Sequence, residues 1–262
     1  MEIESAADFV RMTRGALASA GLVRHEAEGN VWWEAAHPGP TIVLIHGVND
    51  QAGTWFTIAP KLARHARVIL PDLAGHGESE PKDGPLPISM LVERLHAVIG
   101  QERDLTLVGN SLGGWIAMLY TLQHPTRVKH LVLEASGGLS LPFASPVIAR
   151  DRDEAIEILR NVHGPRYQPQ EWVIEALLAR AVDSQMLRVT EIAKHVVDAR
   201  LGEIRVPTTL VWGAEDGVLP LSYAETLQRG IAGAKLHVIE GAAHIPHMQQ
   251  PEKVLACLTA IC

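Results

Sequence analysis

The sequence predicts an α/β domain, a doubly wound and mostly parallel sheet with helices on both faces and a helical segment inserted between two strands. Three observations predict it: short apolar runs recur along the chain, helical patterns lie between them, and one connection is far longer than the rest. The runs "TIVLIHG" (41–47), "ARVILPDL" (66–73), "LTLVGN" (105–110), "VKHLVLEAS" (128–136), "TTLVWG" (208–213) and "AKLHVIEG" (234–241) are nearly continuous in apolar residues. Strands read this way when a parallel sheet buries both faces. Helical patterns near 54–65, 87–99, 111–123, 221–230 and 251–261 separate them, and repeated βα units of this kind wind with right-handed crossovers.

The chain opens with a helical segment at 5–20, followed by β-like runs at 22–28 and 31–35. Between "LVLEAS" and "TTLVWG" lie about 70 residues, where a crossover needs only a dozen or more. They are helical in pattern and mixed in charge, and long insertions at strand C-termini commonly cover binding sites. The expected division is therefore a core of residues 1–136 and 205–262 with a helical cap at 137–204. A chain of 262 residues with 47% hydrophobic content can bury such a core without a second full domain.

A net charge of −7 with interspersed signs excludes the clustered Lys and Arg of a nucleic-acid or anionic-membrane surface. The N-terminal "MEIESAADFVRM" carries acidic residues where a signal peptide carries basic ones, and no run approaches the length of a membrane span. Cys257 and Cys262, five apart at the C-terminal end, suit neither a disulfide nor a metal site. A cytoplasmic protein without nucleic-acid or membrane partners is expected, and monomer and homo-oligomer are both compatible with the sequence.

Chemistry concentrates in "DLTLVGNSLGGWIAMLY" (104–120), which contains Gly109-Asn110-Ser111-Leu112-Gly113, a G-x-S-x-G sequence between a strand and a helix. Two roles compete for Ser111. A helix N-cap needs only its oxygen as an acceptor. A nucleophile elbow needs the strand, sharp turn and helix seen here, with glycines two residues before and after a strained serine. A nucleophilic serine also needs a base whose tautomer a carboxylate holds. "VWGAEDGVLP" offers Asp216 and "VIEGAAHIPHMQQPE" offers His244, each just past a strand and on the sheet edge that carries Ser111. Ligands of open α/β sheets bind at that edge.

With these residues in place, the chain from about 22 to 262 resembles the α/β-hydrolase-fold serine hydrolases. The order Ser111, Asp216, His244 agrees with that family, as do "LIHGVND" (44–50) as an oxyanion-hole loop and "PDLAGHGES" (71–79) as a recurrent structural segment. The resemblance implies that the backbone amides of Val48 and Leu112 form the oxyanion hole. It implies a carboxylesterase-like enzyme for a small-molecule ester, with no metal and no organic cofactor.

Among the 13 histidines, His46 and His76 are expected to be structural, and His244 is preferred to His247 because it directly follows Gly241-Ala242-Ala243. Glu134 competes with Asp216 for the acid role, but the W-G-x-x-D-x-x-x-P pattern from Trp212 to Pro220 favours Asp216, and Glu215 does not fit. Trp115, Met118, Phe143 and Trp172 are assigned no role, since large apolar residues at helical spacing are more often core. Ser111 argues against the dehalogenases and epoxide hydrolases that resemble this chain in their cap, because these carry aspartate at the nucleophile. Carbon–carbon bond hydrolases share the Gly-Asn-Ser-x-Gly-Gly elbow with 109–114 and are the runner-up, although they usually carry a tryptophan soon after the base. A ligand receptor or a cofactor-free lyase on the same fold is the alternative of another class.

Overall fold

A computed structural model describes residues 3–260. Eight strands form one sheet: β1 (Val23–Ala27), β2 (Asn30–Ala35), β3 (Thr41–Ile45), β4 (Arg67–Pro71), β5 (Leu105–Asn110), β6 (Val128–Glu134), β7 (Thr208–Gly213) and β8 (Lys235–Ile239). Their order is β1-β2-β4-β3-β5-β6-β7-β8. The pairs β1·β2 and β2·β4 are antiparallel and the other five are parallel. The fold is that of an α/β hydrolase, with a mostly parallel sheet.

Alternation along the central strands explains why they read as continuous apolar runs. Val43 and Ile45 of β3 join one core, while Ile42 and Leu44 join the other. The same split places Leu131 and Leu133 of β6 on one side with Val132 opposite, and Leu210 and Trp212 of β7 on one side with Val211 opposite. Each face is then sealed by helices. α1 (Ala6–Ser19) and α8 (Pro251–Thr259) cover one through Leu17, Val254, Leu255 and Leu258. α2 (Ile88–Ile99), α3 (Leu112–Gln123) and α7 (Leu221–Gly230) cover the other. Trp115 and Met118 are buried in this second core.

Local chemistry sets several element ends. The Ser5 hydroxyl accepts from the Asp8 amide to cap α1. The helix expected at 54–65 is instead a 3-10 helix, Ala52–Thr57, followed by one turn, Ala59–Leu62. Pro60 has no N–H to donate backwards, so one helix cannot run through it. The run at 234–241 is also corrected. Among the described residues β8 is an edge strand bonded to β7 alone, and it is exposed on both faces, at Lys235 and His237 on one and Val238, 40% accessible, on the other.

The segment between β6 and β7 carries α4 (Arg152–His163), α5 (Glu171–Ala179) and α6 (Gln185–Arg188). Asp151 caps α4 by accepting from the Glu154 amide at 3.0 Å. Ala155, Ile158, Leu159 and Ile174 form a small core of their own between α4 and α5. A two-residue parallel bridge, Leu86–Pro87 with Val189–Thr190, pins the segment to the main body. The sequence pattern gave no sign of it, since two residues make no periodicity. Cys257 is a free thiol on α8, and Cys262 lies outside the described residues.

Two histidines tie stability to pH. Burial pushes His76 down to about 3, with His46 nearby acting in the same sense. It also pushes His163 down to about 4, with Asp50 opposing and His244 reinforcing. In the unfolded chain both bind a proton near pH 6.5, so between about 6.5 and 4 the unfolded state holds more protons and stability falls as the pH is lowered. Thermal unfolding followed from pH 7 to 4.5 should show a declining Tm, with a shallower decline for His163→Gln. A flat Tm across this window would contradict the assignment.

Candidate active site

Ser111 stands between β5 and α3 with φ 53° and ψ −116°, a conformation that costs a residue with a side chain on the order of 1–3 kcal/mol. Its side chain makes no capping hydrogen bond to α3, so the bond that defines an N-cap is missing. The backbone is held from several directions. Ser111 N–H donates to Glu134 O at 3.0 Å, and Ser111 O accepts from Gly114, Trp115 and Gly137 amides at 3.1, 3.2 and 3.0 Å. A Cβ at Gly109 would collide with the backbone of Gly113, and one at Gly113 with the carbonyls of Ile45 and His46. These positions must be glycine for α3 to approach the sheet this closely.

Asp216 follows β7 and His244 follows β8. His244 Nδ1 lies 3.0 Å and 3.2 Å from the two carboxylate oxygens of Asp216. Asp216 Oδ1 also accepts from the amides of Val218 and Leu219, each at 2.9 Å, which orients the carboxylate. The Asn110 side-chain amide donates to His244 O at 3.0 Å and links the elbow to the loop of the histidine. Among the described residues no hydrogen bond joins Ser111 Oγ to His244. Nucleophile–base contacts are commonly long until substrate is bound.

Glu134 and His247 form a second pair. His247 donates its backbone N–H to Glu134 Oε1 at 2.8 Å, and its Nδ1 lies 2.7 Å from Oε2. On the far side of the ring, Nε2 is 3.2 Å from Thr54 Oγ1, and the Trp55 ring packs against it with centroids 4.1 Å apart. Side-chain accessibility separates the pairs: 0% and 1% for His247 and Glu134, but 9% for His244.

His46 shapes the loop around Val48. Its Nε2 accepts from the Leu73 amide at 3.0 Å, which leaves Nδ1 to donate to Gly47 O at 2.7 Å. The peptide is planar and trans, so anchoring the Gly47 carbonyl aims the Val48 N–H the opposite way. A Cβ on Gly47 would come within 3.3 Å of Ser111 Cβ, so this loop lies against the elbow. Leu112 is the first residue of α3, where amides have no intrahelical acceptor and the helix dipole is positive.

The last turn of α4 also belongs to this site. Asn161 O accepts from Gly217 N at 3.1 Å, and Val162 O accepts from His244 N at 3.0 Å. Gln249 donates to His163 O at 2.6 Å while its Oε1 accepts from Ala243 N at 2.8 Å. Carbonyls that a helix end leaves free thus hold the loops of Asp216 and His244. Sequence reasoning missed Gln249 and Asn110 in these roles, whereas His46 is structural as expected. Asn110 lies inside the G-x-S-x-G stretch, whereas Gln249 carries no local signal. Among the described residues no cluster of three or more His, Cys, Asp or Glu is placed to hold a metal.

Residues 42–256 match the Alpha/beta hydrolase family. The chain belongs to that family. An uncharacterised protein of Mycobacterium tuberculosis is 28% identical, covering 84% of this chain and 74% of its own length. A monoacylglycerol lipase of Xenopus laevis is 25% identical over 90% of this chain and 81% of its own. The crystal structure of a membrane phospholipase A described as a bacterial virulence factor superposes with a TM-score of 0.81 at 25% identity, over 98% of this chain and 90% of that one.

The two carboxylate–histidine pairs give a discriminating comparison. Asp216→Asn should lower kcat on an ester by roughly 10²–10⁴-fold with the fold intact, through loss of the His244 tautomer. Glu134→Gln should act chiefly on stability, by about 1–3 kcal/mol, because a buried hydrogen-bonded pair is disturbed. Steady-state kinetics and denaturant unfolding on both variants decide this, and a larger kcat loss for Glu134→Gln would reverse the assignment.

Proposed function

We propose that this hydrolase cleaves carboxylic esters of small, largely apolar substrates through an acyl-enzyme, with Ser111 as nucleophile, His244 as base and Asp216 as the acid that holds it. The observation that carries this reading is the strained Ser111 backbone, which makes no helix cap and is kept in place by close-packed glycines and backbone hydrogen bonds. Strain of this kind persists where surrounding structure over-determines it, and it clusters at active sites. The lipase names of relatives support ester chemistry over the carbon–carbon alternative.

In this mechanism His244 Nε2 takes the Ser111 proton as Oγ attacks the ester carbonyl, while Asp216 stabilises the imidazolium that forms. The amides of Val48 and Leu112 receive the tetrahedral oxyanion, each worth about 3 kcal/mol in the barrier. His244 then protonates the departing alcohol, and water repeats the sequence to release the acid. The helices at 137–204 act as a cap over the acyl site.

Ser111→Ala should lose at least about 10³-fold in kcat on p-nitrophenyl butyrate while remaining folded. Turnover retained by the folded variant would exclude the mechanism. "HGVND" has one glycine before Val48, which leaves less room beside the oxyanion than a run of glycines does. Esters of primary alcohols should therefore be preferred, and comparable kcat/KM for a tert-butyl ester and its ethyl analogue would count against this. Activity should survive EDTA, since the nucleophile, base and oxyanion donors are all supplied by the chain. Loss on chelation with recovery on adding one divalent ion would argue for a metal.

A further inference from the structure

The loop that carries Val48 is gripped from the inserted helices as well as from the core. Asn49 has φ 61°, a left-handed conformation that asparagine tolerates better than most residues. Its side chain, however, does more than permit the turn. Asn49 Oδ1 accepts from the Gln185 amide at 2.8 Å and from Ser184 Oγ at 3.0 Å, and Nδ2 lies 2.9 Å from the same hydroxyl. Arg180 adds a bond to Asn49 O at 3.0 Å. Ser184 is buried, at 3% accessibility, and is the N-cap of α6.

The far end of α6 is fixed independently. Arg188 donates to the carbonyls of Pro81, Asp83 and Gly84 at 2.7, 2.8 and 2.8 Å, and Val189 forms the bridge to Leu86. Asn49 is therefore attached to an anchored helix end. Across Val48 from it, His46 holds the Gly47 carbonyl at 2.7 Å. The Val48 amide sits between the two restraints, one from the core and one from the insertion.

We propose that Asn49 is a positioning residue through which the inserted helices set the oxyanion loop. The proposal rests on the ester-hydrolase reading for its kinetic consequence, but the clamp itself is a structural claim that can fail or stand alone. A misplacement of about 1 Å in a reacting group can cost up to about 10²-fold, and complete loss of an oxyanion donor costs about 10²–10³-fold. Removing the side-chain bonds of Asn49, while His46 and the Arg180 bond to Asn49 O stay in place, should cost less than either.

Asn49→Gly preserves the left-handed backbone and removes the side-chain bonds, whereas Asn49→Asp keeps acceptors for Ser184 Oγ and the Gln185 amide. Both variants of the full chain, with wild type and Ser111→Ala, are assayed on p-nitrophenyl butyrate and by amide hydrogen exchange over residues 47–53 and 180–190. Asn49→Gly is expected to lose about tenfold in kcat with KM within about threefold, and to exchange faster in both segments. Asn49→Asp is expected to stay within about threefold of wild type in kcat, with exchange close to wild type. Unchanged exchange at 180–190 in Asn49→Gly, an unchanged kcat, or a loss in Asn49→Asp as large as in Asn49→Gly would overturn the proposal. If wild type and Ser111→Ala are equally inactive, the ester reading fails, and the exchange comparison alone decides whether Asn49 is the clamp.

Discussion

The positive φ of Ser111 is the constraint on which the site depends. A serine does not rest there by preference, so the surroundings must hold it. Gly109 and Gly113 let β5, α3 and the carbonyls of Ile45 and His46 close in around the turn, and the bonds from Ser111 to Glu134, Gly114, Trp115 and Gly137 fix it in the backbone. The outcome is a serine at the C-terminal edge of the sheet, beside the loop of Val48, with the neighbouring Asn110 bonded to the loop of His244.

Glu134 connects this turn to the histidine loop. Its main-chain oxygen accepts from Ser111 N, and its carboxylate holds both the backbone N–H and the ring of His247, three residues beyond His244. Two carboxylate–histidine pairs thus stand side by side with opposite characters. The Glu134–His247 pair is sealed against Thr54 and Trp55. His244 keeps some accessibility, and Asp216 beneath it is already satisfied by two amides. Burial separates the two: the first pair is closed on every side, and the second keeps part of its histidine open to solvent.

The inserted helices contribute to the core's chemistry from two directions. The end of α4 bonds to the loops of Asp216 and His244, and the start of α6 bonds to the loop of Val48. An insertion attached in this way restrains the loops of Val48, Asp216 and His244 directly. Its own small core, around Ile158 and Ile174, keeps α4 and α5 together as a unit behind these contacts.

The sequence by itself determined the elements whose physics is local. A strand buried on both faces is apolar at most positions, so β3, β5, β6 and β7 were legible as runs. The strained turn needs glycines at fixed offsets from Ser111, so the elbow was legible as well, and Asp216 and His244 stood out because each directly follows a strand. Edge position was not legible: β8 has the composition of a buried strand, and only the sheet order shows that one side is open. The sequence favoured Asp216 with His244, and the structure brings those two together, but it carried no sign that Glu134 and His247 pair with each other. Glu134 ends β6, and His247 lies three positions beyond His244, so this second pairing follows from where the short helix at Pro246–Gln249 turns the chain. The holds of Asn110, His46, Gln249 and Asn49 belong to the tertiary structure for the same reason. Each is a hydrogen bond to a backbone or side-chain group on another element or in a tight turn, and such a bond leaves no periodicity in the chain that makes it.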